Sequence, residues 1–154
     1  MGFFDKIKGA VQGVTGNAAK VTVEFSPQFA YPGDTVSVRV TATSNGREVT
    51  SKGVFIDLLG LEEVKLRKKD HRDLSDDLDV SRHTVEHTQQ IAPPFVLAPN
   101  ATAQFEGQFV VPGAALPTYH GSYASHKNQL RARVEAKGND PDTGYIEYRV
   151  GTRN

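Results

Sequence analysis

The stretch YPGDTVSVRVTA, residues 31–42, decides the fold class of this chain. Its first four residues favour a tight turn, because Pro32 fixes φ and Gly33 tolerates conformations closed to other residues. Its last seven residues alternate valine or alanine with polar side chains. A period of two puts alternate side chains on opposite faces of a strand, so the segment predicts a half-buried antiparallel strand that follows a turn.

Six other segments show strand patterns, either alternating or continuously apolar over the length of a strand. Turn signals separate them: Asn45-Gly46 is typical of a hairpin, and Pro93-Pro94 ends a strand because proline lacks the N–H that a sheet requires. About seven short strands with little helix predict an all-β protein, an antiparallel immunoglobulin-like β-sandwich whose two sheets share one core. The six segments are 21–25, 53–61, 80–91, 104–111, 128–136 and 145–150.

Length and composition limit the function classes. The 154 residues suit one hydrophobic core, and 38% hydrophobic with 23% charged residues is typical of a globular protein. Eighteen Lys and Arg balance eighteen Asp and Glu, so no global field attracts nucleic acid. The absence of cysteine excludes disulfides, thiolate metal sites and cysteine nucleophiles, and it agrees with a reducing compartment. No apolar run approaches the roughly 20 residues of a membrane span, so we expect a cytoplasmic protein. Because the charge is balanced, we also expect that it binds no nucleic acid.

Residues 2–16 carry a different, helical spacing of apolar side chains. They predict a short amphipathic helix, which Gly9 and Gly13 weaken by about 1 kcal/mol each relative to alanine. Such a helix needs a surface to lie on, and the sandwich itself, a second copy or partner, and a lipid bilayer are the alternatives. We therefore divide the chain into an N-terminal segment, 1–16, and a single sandwich domain, 17–154. The side chains expected to make the contact are Phe3, Phe4, Ile7 and Val11.

Five short motifs follow one another along the chain. They are Phe3-Phe4-Asp5-Lys6, Tyr31-Pro32-Gly33-Asp34-Thr35-Val36, Phe55-Ile56-Asp57-Leu58, Pro94-Phe95-Val96-Leu97, and Ser122-Tyr123 ahead of Leu130-Arg131-Ala132-Arg133-Val134. In this order they resemble the N-terminal sandwich of the arrestin fold, and in particular the bacterial sporulation-control proteins of that superfamily. The resemblance implies an arrestin-like adaptor, scaffold or regulatory protein, and it leaves the ligand open because a fold does not settle function.

The chain departs from that superfamily in two respects. A complete arrestin-like protein has two sandwiches, whereas this sequence accounts for one, so a second sandwich supplied by another chain stays open. The lysine pair with which receptor-binding arrestins sense phosphate has no match in 21–25. Recognition of phosphopeptides is therefore not expected.

Histidine pairs are the first candidates for catalytic or metal chemistry. His83 and His87 would share one face of a strand about 13 Å apart, too far for one metal ion, and the glutamate of a zinc protease is missing. His120 and Ser122 would supply a hydrolase with its base and nucleophile, but Gly-Ser-Tyr-Ala does not complete the nucleophile-elbow motif. We expect no enzyme, no catalytic residue, no metal and no cofactor, with the hydrolase as the remaining enzyme alternative. Glycine and a distant glutamate, which a calcium loop requires, are missing from the acidic run Asp76, Asp77 and Asp79.

The leading hypothesis is a non-catalytic protein-interaction module, an adaptor, scaffold or regulatory protein. It would bind an unidentified protein partner through a sheet edge, whose N–H and C=O groups lack a neighbouring strand, or through the loops 67–79 and 112–127. Peripheral membrane attachment through the N-terminal helix is the alternative function, and formation of a homo-oligomer stays open. The side chains of the sandwich predicted to contact the partner are Arg67, Lys68, Lys69, Tyr119, His120 and Tyr123.

Overall fold

The computed structural model describes residues 11–13, 18–138 and 140–153, and their regular structure is almost entirely β. The strands, numbered in chain order, are β1 (Val11–Gly13), β2 (Ala19–Ser26), β3 (Phe29–Ala30), β4 (Thr35–Ser44), β5 (Val49–Leu66), β6 (Leu78–Ala92), β7 (Phe95–Leu97), β8 (Thr102–Val110), β9 (Tyr119–His120), β10 (Ala124–Ala136), β11 (Ile146–Glu147) and β12 (Arg149–Val150). The loop between β5 and β6 contains one 3₁₀ turn, Lys68–Asp70.

Two antiparallel sheets contain most of these strands. The four-stranded sheet has the order β1-β2-β4-β8, and the larger sheet has the order β11-β10-β5-β6, with β7 added to β5 and β9 added to β10. Strands β3 and β12 form a short parallel pair. The predicted antiparallel β-sandwich is confirmed. The described residues form more strands than the predicted seven because pieces of two or three residues, such as β7 and β9, extend the sheets at their edges.

The amphipathic helix predicted over residues 2–16 has no support in the structure. At Val11–Gly13 the chain forms β1, which pairs antiparallel with residues 21–23 of β2, so the helix prediction is wrong for these three residues, Val11 among them. Glycine disfavours a helix at Gly13, whereas the edge of β2 offers backbone partners for an extended chain. The rest of the segment lies outside the described residues, together with the predicted contacts Phe3, Phe4 and Ile7.

Small branched side chains at alternate strand positions fill the core between the two sheets. Along β4 every second residue from Val36 to Ser44 is buried, as the alternation of the sequence predicts. Burial of each such aliphatic side chain stabilises the fold by about 1.5–3 kcal/mol. The larger sheet supplies the facing half of the core from Val54, Ile56, Leu58, Leu130, Ala132 and Val134.

The side chain of Gln89 closes one side of the sandwich. Strand β6 lies beside β8, although the two strands belong to different sheets. Gln89 Nε2 donates to the carbonyl of Gln108 at 3.1 Å, and Gln89 Oε1 accepts from the N–H of Val110 at 3.1 Å. The amide therefore bonds to the β8 main chain as a neighbouring strand would.

Candidate functional site

A cleft of about 560 Å³ opens on the outer edge of β10, between two short strands. On this edge β10 pairs with β9 at Ser125 and His126 and with β11 at Gln129 and Leu130. Lys127 and Asn128 of β10 lie between these pairings, and both line the cleft. The volume is within the range of ligand sites in proteins. We call this feature the β9–β11 cleft, and the lining residues that matter below are Phe25, Tyr119, Lys127, Asn128, Tyr148 and Arg149.

Aromatic rings form the floor of the β9–β11 cleft. Phe25 and Tyr148 are buried and meet edge to face, with ring centroids 5.9 Å apart. The Tyr148 hydroxyl donates to the carbonyl of Pro27 at 2.6 Å. Burial raises the pKa of Tyr148 well above its ordinary value, and the negative charge of Asp34 adds to the shift. The floor is therefore uncharged at neutral pH and suits an apolar or aromatic group.

Asn128 carries a buried acceptor without a partner in the wall of the cleft. Its side chain is buried, and its Nδ2 donates to the carbonyl of Leu116 at 2.9 Å and to Thr118 Oγ1 at 3.1 Å. Because a carbonyl oxygen can only accept, these bonds fix which end of the amide is the nitrogen. Asn128 Oδ1 then has no hydrogen-bond partner among the described residues. A buried acceptor without a partner costs about 1–3 kcal/mol.

The mouth of the cleft carries more positive than negative charge. Lys127 and Arg149 face one carboxylate, that of Glu147, and within residues 18–138 and 140–153 none of the three forms a salt bridge. The Arg149 guanidinium lies 5.7 Å from the centroid of the Phe29 ring. Tyr119, which lines the cleft, exposes 42% of its surface, and Phe29, next to Arg149, exposes 38%. Such a composition is typical of protein interfaces.

His126 connects one wall of the cleft to the far strand of the sheet. The imidazole is fully buried, with Nδ1 3.0 Å from the carbonyl of Pro117 and Nε2 2.6 Å from Thr84 Oγ1. Thr84 reaches His126 across β5 because Gly60 has no side chain and because β6 bulges opposite it. The Tyr119 ring stacks on the imidazole at 6.4 Å. The segment that carries Tyr119 therefore contacts β10 directly, and His126 links it to Thr84 of β6.

The predicted contact residues of the 112–127 loop lie together. Tyr119 and His120 line the β9–β11 cleft, and His120 also borders a second depression that includes Tyr123. The Tyr123 ring meets the imidazole of His71, in the β5–β6 loop, at a centroid distance of 4.7 Å. These contacts join the cleft to the base of that loop.

The predicted basic cluster lies apart from the cleft, on the β5–β6 loop. Arg67 forms an ion pair with Asp77 at 3.8 Å, and the N–H of Lys68 donates to the same carboxylate at 2.9 Å. Lys69 lies in the 3₁₀ turn that follows Arg67 and is exposed. The charge of Arg67 is thus paired within its own loop.

The residues of the predicted hydrolase border the same depression without forming a dyad. His120 and Ser122 both line it, but the described part of the chain contains no hydrogen bond between their side chains. A nucleophile is normally activated by a base within hydrogen-bond reach. The arrangement therefore gives no geometric support to the hydrolase alternative.

The histidines of β6 point to opposite faces of the sheet. His83 pairs with Leu61 and His87 with Leu58, and these two leucines differ in parity along β5. The expected shared face is wrong because the bulge at Thr84 inserts one extra residue between the histidines. Over the described residues, no group of three or more His, Asp or Glu side chains is placed to bind a metal.

The predicted membrane contact has no described side chains. Of its four residues only Val11 belongs to a described strand, and there the main chain alone is described. In the described ranges there is no helix with the length and apolar character to cross a bilayer. Membrane attachment stays a prediction.

A polar cluster surrounds Asp57 on the outer face of the larger sheet. Its carboxylate is buried and accepts from Arg131 at 2.7 and 3.0 Å, from Arg133 at 2.9 Å and from Thr88 Oγ1 at 2.7 Å. Burial alone would raise the pKa of Asp57, but these hydrogen bonds and the charge of Arg133 outweigh it and lower the pKa. Because its members satisfy one another, we interpret the cluster as structural.

Sequence reasoning missed most of the cleft. Phe25 and Tyr148 are far apart in the chain and meet only in the folded protein. One signal was present for Asn128: it continues the inward alternation of Leu130, Ala132 and Val134, so its amide occupies a position that the pattern reserves for the core. A polar residue at an inward position must find a partner or face a cavity.

No family model and no curated protein matches this sequence. Among solved structures, the chain is similar to the crystal structure of Spo0M, a sporulation control protein from Bacillus subtilis, with a TM-score of 0.61 and 18% sequence identity. The similarity covers 88% of this chain and 50% of that one, so this chain spans about half the length of the structure it matches. The likeness supports the predicted arrestin-like fold of the Spo0M kind.

Proposed function

We propose that this chain is a regulatory, non-catalytic protein-interaction module that binds a protein partner at the β9–β11 cleft. The observation that carries the proposal is the open cleft of about 560 Å³ itself, which is lined by buried aromatic rings and by the exposed Tyr119. Binding energy in protein interfaces concentrates in such desolvated pockets, with tyrosine and arginine as frequent contributors. Tyr119 and Arg149 line the cleft here.

The regulatory part of the proposal has a different support. Spo0M is a sporulation control protein, and the present chain matches the fold of about half of the Spo0M chain. Because a fold hosts many functions, this likeness favours a regulatory role without naming the partner. We propose an adaptor or scaffold of the sporulation-control kind as the form that this role takes.

Site-specific photo-cross-linking in the source cells tests the proposal. A photoreactive phenylalanine analogue replaces Tyr119 in one variant and Val96 in the control. Both side chains are exposed, but Val96 lies on β7 at the opposite end of the larger sheet. We expect a discrete cross-linked protein from position 119 and none from position 96. Identical patterns from the two positions, or no product from position 119, would contradict the proposal.

A further inference from the structure

We infer that residues 3–9 of this same chain dock into the β9–β11 cleft, and that a protein partner has to displace them. The second half of the inference rests on the proposed function, because the site that is displaced is the one proposed to bind the partner. Three observations carry the docking: the side of the sandwich on which β1 lies, the register of β1, and the spacing of the residues before it.

Strand β1 lies on the same side of the sandwich as the cleft. In the four-stranded sheet β1 is the edge strand beyond β2, and β2 packs against β10 of the larger sheet. The cleft opens on the outer edge of that same β10, where β9 and β11 pair with it. The opposite side, between β6 and β8, is the one that Gln89 closes. The chain that enters β1 therefore comes from the side on which the cleft is open.

The register of β1 directs the preceding residues towards the floor of the cleft. Val11 stands opposite Val23 in an antiparallel pair, so a chain that continues this pairing backwards brings Gly9 opposite Phe25. The Phe25 ring belongs to the aromatic floor. At about 3.3 Å per residue, Gly9 would lie about 7 Å from Val11, and Ile7 about 13 Å. The opening is thus within reach without a turn in the chain.

The spacing of the segment suits this floor. Residues directly opposite each other in an antiparallel pair project on one face, and every second residue shares that face. Phe25 is buried, so the residues that would share its face are Gly9, Ile7, Asp5 and Phe3. Gly9 would leave the space above the Phe25 ring free, and Ile7 and Phe3 would bring apolar surface to the floor.

The charge of the segment agrees with this placement. Lys127 and Arg149 line the cleft together with Glu147, and within the described ranges none of the three forms a salt bridge. The carboxylate of Asp5, between two apolar residues of the same face, would bond to these cations. The lysines of the segment, at positions 6 and 8, would take the opposite face. The apolar spacing names the occupant, and the charge adds to it.

A tethered segment has an advantage over a free molecule. Because Ile7 is only four residues from β1, its local concentration beside the cleft is on the order of 1 mM. A partner competes with it, and the apparent affinity for that partner falls in proportion to the fraction of molecules whose cleft is open.

Two tryptophan variants of the full chain, which has no tryptophan of its own, test the docking. Ile7→Trp places the probe on the face of Phe25, and the control Lys6→Trp places it on the other face. We expect acrylamide to quench Ile7→Trp at least about threefold less than Lys6→Trp, because the cleft encloses the first indole.

Paired cysteines test the same contact by position, since the chain contains no cysteine. Ile7→Cys is combined with Lys127→Cys across the cleft, or with the control Ser37→Cys. Ser37 lies on the outer face of the four-stranded sheet, two strands from β1 and opposite Ser26, within reach of the same tether. In glutathione buffer the intramolecular disulfide with position 127 should form at least about tenfold more favourably than that with position 37.

Displacement is tested by cross-linking from position 119 in the source cells. Ile7→Asp should raise the yield of the captured partner at least about threefold, because the cleft is then open in more molecules, and Lys6→Asp should leave it unchanged. An unchanged yield in Ile7→Asp would overturn the competition.

Other results would overturn the docking. Equal quenching of the two tryptophans does so, as do equal disulfide yields for the two cysteine pairs. Shielding of Ile7→Trp that is lost on dilution would assign the segment to a second copy, and shielding that requires anionic phospholipid vesicles would assign it to lipid; both contradict the inference. If these contacts fail while position 119 captures one protein, the proposed function survives alone. If they hold while position 119 captures nothing, the docking stands and the proposed function is wrong.

Discussion

Replacing Asp57 by asparagine should destabilise the protein by about 3 kcal/mol at neutral pH. The side chain of Asp57 is 7% exposed, and those of its ion-pair partners Arg131 and Arg133 are 28% and 19% exposed. Breaking a buried ion pair by removing one partner costs about 3–5 kcal/mol, and the lower end applies here because both guanidinium groups can recover some hydration.

The pH dependence of this loss has a definite sign. The folded-state pKa of Asp57 is lowered, so the stability that its ionised form contributes is present above the unfolded pKa of about 3.9 and is lost as pH falls towards the folded pKa. The gap between the wild type and Asp57→Asn should therefore shrink below that pH, by up to about 1.4 kcal/mol per pH unit.

Urea unfolding followed by circular dichroism at pH 7 and pH 3 measures both effects. The matched control is Glu106→Gln, which removes the exposed ion pair between Glu106 and Arg39 and should cost less than about 1 kcal/mol. An equal loss in the two variants would refute the assignment of Asp57 as a buried structural anion. A gap at pH 3 as large as at pH 7 would refute the pKa reasoning.

Three further substitutions test the fold around the site. Gly60→Ala should cost about 2 kcal/mol in thermal unfolding, because the new Cβ would lie 2.9 Å from Val85 Cγ1; an unchanged midpoint would contradict the close packing there. Tyr148→Phe should cost about 1 kcal/mol in urea unfolding. Since the pKa of Tyr148 is raised, the variant and the wild type should show the same ultraviolet titration of tyrosine up to about pH 11. If one tyrosine fewer ionises in the variant over that range, the burial of Tyr148 is disproved. Gly33→Ala should cost about 1–2 kcal/mol because φ is +89° there, whereas Gly113→Ala, in open space, should be neutral; equal effects would contradict the strain.

The strands were predictable from local pattern, and their deviations were not. The alternation from Val36 to Ala42 predicts β4 because each inward side chain meets the core whatever the details of the partner strand. The bulge at Thr84 lies opposite Gly60 in the neighbouring strand, so the sequence of β6 alone predicted that His83 and His87 share one face. The pairing of residues 11–13 with β2 could not be predicted from the sequence either. Strand β1 therefore stands where a helix through Val11 was predicted.

The residues of the cleft could be predicted from the sequence only in part, for a similar reason. Tyr119 and His120 were found because a long loop between strands is a common place for a binding site. Their companions Phe25, Tyr148 and Asn128 come from three other segments, and only tertiary structure brings these together. Asn128 would have been found by treating every polar residue at an inward strand position as a candidate site residue.

The bonds of Gln89 to β8 have a consequence for colloidal behaviour. An edge strand with free N–H and C=O groups invites pairing with other molecules and is a starting point for aggregation. On β8 the carbonyl of Gln108 and the N–H of Val110 are already occupied by one side-chain amide of the same molecule. A foreign strand would have to displace that amide before it could pair with this end of β8, so the amide protects Gln108 and Val110 against strand addition, while the opening beside β10 remains available for recognition.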